Sequence, residues 1–76
     1  MVERFLTYSL ERGRKIQAVL LDETGAVTRR NLLVTAIDED GRGFSARLPG
    51  RRRETHYALS QVLTAAYARG DQGELE

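Results

Sequence analysis

The sequence predicts a mainly β domain, a small barrel of about five strands preceded by a short N-terminal α-helix. Three observations carry this. From Arg12 to Ile37, two apolar-rich runs flank Asp22-Glu23-Thr24-Gly25, a short polar turn ending in glycine, which is the pattern of a β-hairpin. Further short runs follow, separated by glycine-bearing turns, as expected of strands that close or nearly close a small barrel. Ahead of the hairpin, Val2, Phe5, Leu6 and Leu10 recur at helical spacing.

Composition bounds the answer. A chain of 76 residues makes one domain at most. Chains of this size bury only about 60–65% of the surface they expose when unfolded, so their stability is marginal. There is no cysteine, which removes disulfides and thiolate metal sites. No apolar run approaches the roughly 18 residues of a membrane span, and the start, MVERFLTYSLERGRK, has no signal-peptide core. The expectation is a soluble cytoplasmic protein. Twelve basic and 11 acidic side chains leave a net charge of +1, too balanced to argue nucleic-acid binding from total charge. The distribution says more: Arg42 to Arg53 holds five arginines and no acid.

The helix is expected over 2–12, stopped by Gly13, with Arg12 in the last turn where a cation meets the dipole favourably. At three turns it must dock on the sheet to be stable. Strand one is placed at 14–22, with Ile16, Ala18 and Leu20 on one face and Gln17, Val19 and Leu21 on the other. Apolar residues on both faces suggest burial from both sides, by curvature, the helix or a partner chain. Strand two, 26–37, is long for a flat strand, and Leu32, Leu33 and Val34 break its alternation. A bend near Asn31–Leu33, letting one strand serve two sheets, accounts for both. After an acidic, glycine-containing loop, a strand at 43–48 faces Phe44, Ala46 and Leu48 inward. Pro49-Gly50 makes a turn, with proline presetting φ and glycine supplying φ > 0. The next strand, 52–58, carries Thr55 and Tyr57 inward and Glu54 and His56 outward. Leu59-Ser60-Gln61-Val62 reads as a tight or 3-10 turn. Residues 63–69 fit a helix and a strand equally, since the period cannot arbitrate over seven residues. Residues 71–76 form a polar tail expected to be disordered.

The layout resembles a WYL-type domain, a small β-barrel of the Sm-like or SH3-like kind found in bacterial regulators. The resemblance covers roughly residues 9–63. It rests on the lead-in Leu10-Glu11-Arg12-Gly13-Arg14-Lys15, the acid-containing turn Asp22 to Gly25, an arginine at Arg29 or Arg30, and Tyr57-Ala58-Leu59-Ser60-Gln61-Val62 against the family's aromatic-x-Leu-Asp-Arg-Ile. The chain departs from the pattern where the Trp-Tyr-Leu signature would fall, near Gly43-Phe44-Ser45, at Ser60-Gln61 in place of Asp-Arg, and in lacking a proline after the second-strand arginine. The resemblance implies that the last element, 63–69, is a strand. It also implies sensing of a ligand or nucleic acid at aromatic and basic positions.

The candidate binding residues are Arg29, Arg30, Arg42, Arg47, Arg51, Arg52 and Arg53. Guanidinium groups suit phosphates and planar bases, by bidentate hydrogen bonds and stacking. The same cluster also reads as a solvated turn kept soluble by charge, with Glu54 and the 38–40 acids compensating. Tyr8, Val19 and Leu21 are candidate interface residues. No catalytic residue, cofactor or metal is expected. His56 is the only histidine and has no cysteine partners, Gly41-Arg42-Gly43 lacks the following helix of a phosphate loop, and Asp38-Glu39-Asp40 lacks the spacing of a calcium loop. The expected function is a non-enzymatic ligand-binding or regulatory module, with nucleic acid or nucleotide as partner. The alternative is a protein-interaction or self-assembling module, with a protein partner or a second copy of the chain.

Overall fold

The computed structural model describes residues 2–68. Helix α1 (Val2–Arg12) leads into five antiparallel strands: β1 (Ile16–Leu21), β2 (Val27–Ile37), β3 (Gly43–Arg47), β4 (Glu54–Ala58) and β5 (Val62–Tyr67). A single 3-10 turn, Leu59–Gln61, separates β4 from β5. The sheet order is β4-β3-β2-β1-β5. The fold is mainly β with an N-terminal helix, and 62–67, ambiguous in periodicity, is strand. Arg69 and the 71–76 tail lie outside the described residues.

β2 is the hinge of the sheet. Its residues from Val27 to Leu32 pair with β1, ending at Ile16↔Leu32, and its residues from Leu33 to Ile37 pair with β3, starting at Leu33↔Arg47. The change of partner falls where the consecutive apolar residues stand. A register shift between Val34 and Ala36 leaves Thr35 as an extra residue and adds twist. Alternation is thereby reset: Leu32 and Val34 are buried, and Ile37 packs against the same core. That core comprises Leu6, Ile16, Ala18, Leu20, Leu32, Val34, Phe44, Ala46 and Val62.

The barrel does not close. β4 and β5 are the two edges of the sheet. The positions that closure would bury at the far end of the β1–β2 hairpin are Thr28 and Arg30, and those on β4 include Thr55. Enclosing an arginine among them would cost several kcal/mol of desolvation, an estimate on the order set by ion burial. An open mouth keeps them wet.

The helix closes the other end. Phe5 and Tyr8 meet Tyr67 of β5 edge-on, with ring centroids 4.8 and 4.7 Å apart. Tyr8 therefore packs within the chain. The buried stripe also differs from the expected one: Leu6 and Ser9 are buried, while Leu10 is 38% exposed. Val2, Phe5, Leu6 and Ser9 are spaced i, i+3, i+4, i+7, and Leu10 falls off that face.

Ser9 has a specific task. Where β1 no longer runs beside β2, the Val34 N–H donates to Ser9 Oγ at 3.0 Å, and the Ser9 hydroxyl donates to the Arg14 carbonyl at 2.6 Å. Ser9→Ala leaves a buried N–H without an acceptor, and the expected loss is about 1–3 kcal/mol. Thermal unfolding checks this: at roughly 4–8 °C per kcal/mol for a domain of this length, the midpoint should drop clearly.

Candidate functional site

Two hairpin ends frame the mouth. At the β1–β2 end, Asp22 organises the turn: its Oδ1 accepts from the Thr24 N–H (2.9 Å), the Thr24 hydroxyl (2.7 Å) and the Ala26 N–H (2.9 Å). Gly25 takes φ of 89° to let the chain return. The Thr24 hydroxyl foremost, then the Ala26 N–H, hold the Asp22 carboxyl below its usual value. A depressed carboxylate contributes stability above its unfolded pKa, and that contribution disappears as the pH falls through the folded pKa. Asp22→Ala should therefore lower the melting midpoint at neutral pH, with the gap to wild type shrinking below about pH 3.8, the ordinary aspartate value. Parallel thermal melts at neutral and acidic pH measure the gap.

At the other hairpin end, Pro49-Gly50 forms the expected turn. The Arg51 N–H donates to the Leu48 carbonyl at 3.0 Å, and Gly50 takes φ of 78°. Arg51 leaves this turn at a fixed place beside the mouth.

β2 supplies the opposing arginine. Ala18↔Arg30, Leu20↔Thr28 and Ile16↔Leu32 are cross-strand pairs, so Arg30 and Thr28 stand on the face that carries Ile16, Ala18 and Leu20 into the core. The same holds on β4, where Thr55↔Ala46 and Tyr57↔Phe44 place Thr55 and Tyr57 on the inward face. Tyr57 is stacked on Phe44 with ring centroids 5.5 Å apart. Between these walls lies a cleft of about 290 Å³, lined by Leu20, Thr28, Arg30, Arg51, Thr55 and Tyr57 among others. Gln61 fixes its far rim: its Oε1 accepts from the Ala58 N–H at 2.8 Å and its Nε2 donates to the Leu21 carbonyl at 3.3 Å.

The seven candidate arginines fall into three groups. Arg30 and Arg51 share the central cleft, and Arg29 joins them along a second depression running past Asn31 and Pro49. Arg42 lines a separate dimple with Leu59 and Ser60. Arg47 is exposed on β3 opposite Glu54, and Arg52 and Arg53 are exposed in the loop before β4. These last three line none of these clefts: Arg47 is on the outward register of β3, one residue from the buried Ala46, and Arg52 and Arg53 precede β4. Of the Arg42–Arg53 run, Arg51 alone lines the central cleft.

Sequence reasoning missed two features. Gln61 carried no signal beyond its place in the turn. Gly43 is buried, and a Cβ there would lie 2.6 Å from Asp38 Oδ2 and 2.8 Å from His56 Cε1. The glycine leaves space for the 2.8 Å hydrogen bond between His56 Nε2 and Asp38 Oδ2, which crosses β3. This pair is exposed and ties the 38–43 loop to β4.

No family model, curated protein or solved structure matches the chain. Among the described residues, no helix is long and apolar enough to cross a membrane, and no group of His, Cys, Asp or Glu is placed to hold a metal ion.

Proposed function

We propose that the domain is a non-enzymatic ligand-binding module, a regulatory element of the kind WYL-type domains provide, and that it binds nucleic acid or a nucleotide at the open mouth. The observation that carries this is the convergence of Arg30 and Arg51 on one cleft walled by Tyr57. Two guanidinium groups facing a water-accessible concavity suit a phosphate, and an aromatic wall suits a base. An arginine on the core-facing register of a strand serves no packing purpose that an apolar residue would not serve better.

The test is fluorescence anisotropy of a labelled single-stranded oligonucleotide, with a nucleotide as competitor, at 50 and 200 mM salt. Neutralising two phosphates on a single strand predicts affinity about sevenfold weaker at the higher salt. A salt-independent dissociation constant, or binding of neither the oligonucleotide nor the nucleotide, contradicts the proposal.

A second reading follows from a different observation. Among the described residues both sheet edges are unpaired, and Val27 and Leu63 stand 58% and 51% exposed beside Leu21 and Val19 on the outer face. Self-association or capture of a protein strand along an edge would cover them. Sedimentation of the purified chain separates the readings: a monomer that binds the oligonucleotide supports the first, and an oligomer that does not supports the second.

A further inference from the structure

The mouth has two electrically different ends. Three depressions run into one another across it. The central cleft shares Arg30, Leu48 and Arg51 with the one beside Arg29, and shares Asp22, Thr55, Tyr57 and Gln61 with a third, of about 330 Å³, that reaches Glu23, Thr24 and His56. The result is one groove with Arg29 at one end and Glu23 at the other, while Arg30, Arg51 and Asp22 line the central cleft between them. Tyr57 lines both the central cleft and the Glu23 end, supported from behind by Phe44.

A groove for a nucleic-acid strand would carry positive charge along its length, because each successive phosphate must be neutralised. This groove does so only at one end. A second phosphate continuing past Tyr57 would meet Glu23, with no arginine lining that end, and like charge opposes it. A ligand with one terminal phosphate and a hydrogen-bond donor at its other end matches both ends.

We infer that the groove selects a nucleoside monophosphate over a continuous strand, with the phosphate between Arg30 and Arg51, the base against Tyr57, and the exocyclic amine of the base toward Glu23. The inference rests on the mouth being the ligand site, and it names the ligand class that site takes. The central cleft, near the lower end of the size of small-molecule sites at roughly 300 Å³, suits a ligand of that size. Glu23 sits in the exposed β1–β2 turn, so replacing it leaves the core intact.

Isothermal titration of the full chain with adenosine monophosphate, adenosine, and an eight-nucleotide oligodeoxyadenylate lacking a terminal phosphate tests this. The expected result is that the monophosphate binds at least about tenfold tighter than either of the others. Glu23→Gln should narrow the gap from both sides, weakening the monophosphate and strengthening the oligonucleotide. An oligonucleotide that binds as tightly as the monophosphate, or a gap that Glu23→Gln leaves unchanged, overturns this inference while leaving the mouth as the binding site. If none of the three ligands binds, the binding-site reading fails with it.

Discussion

Arg30→Gln combined with Arg51→Gln is expected to weaken binding at the mouth at least about 100-fold, while Arg52→Gln with Arg53→Gln changes it less than about threefold. The first figure follows from removing two charge-assisted contacts, each worth about 1.5–3 kcal/mol. The contrast separates location from total charge, since both double variants remove two positive charges from the chain. Arg30 and Arg51 line the cleft, whereas Arg52 and Arg53 are exposed in the loop beyond it. Both arginines are themselves exposed at the mouth, so the melting midpoint should stay within a few degrees of wild type. Anisotropy titration paired with thermal melts of the same samples reads both quantities. Equal losses in the two double variants would mean that affinity follows net charge and that the cleft has no special role.

Phe44→Ala should have the largest effect on folding. Phe44 is fully buried, stacks on Tyr57 and pairs across to Ile37, joining the β2–β3 and β3–β4 ladders. Truncating a buried phenylalanine costs about 3–5 kcal/mol. A domain of this length has roughly 4–11 kcal/mol in total, at about 0.05–0.15 kcal/mol per residue. The variant is therefore expected to be largely unfolded at ambient temperature, or to melt on the order of 20 °C lower. It should also lose ligand binding before it loses all structure, because Tyr57 is supported by the ring that has been removed. Near-ultraviolet circular dichroism and thermal melts check the first statement, and titration below the new midpoint checks the second. A decrease of only a few degrees would show that the core tolerates a cavity at this position.

What could be read in advance were the local features. Pro49-Gly50, and the run from Asp22 to Gly25, carry their backbone chemistry in their side chains, and the turns form there. The broken alternation at Leu32-Leu33-Val34 marks where β2 changes partners, since three consecutive apolar residues cannot all face one core on a flat strand. The rest depended on contacts distant in sequence. Arg30 and Arg51 are 21 positions apart and come together only because β2 bends, so a contiguous arginine run drew more attention than the pair that shares a cleft. One signal was present: Thr28, Arg30, Leu32 and Val34 alternate in step, which puts Arg30 on the core face. Ser9 was legible in the same way. It follows Val2, Phe5 and Leu6 at helical spacing, yet a polar residue in an apolar stripe reads as an interruption until its partner, the Val34 N–H, is seen. Barrel closure was not legible, because it turns on whether β4 and β5, the two edges of the sheet, pair with each other.

The central claim is that the mouth between the two hairpin ends is the binding site, and chemical-shift mapping of the full chain titrated with adenosine monophosphate tests it most directly. The predicted result is saturable shifts at the Arg30 and Arg51 side chains, at Tyr57 and at Thr28, with Arg42, Arg47, Arg52 and Arg53 unmoved. Shifts confined to those four arginines, or to Val27 and Leu63 on the outer face, would contradict it.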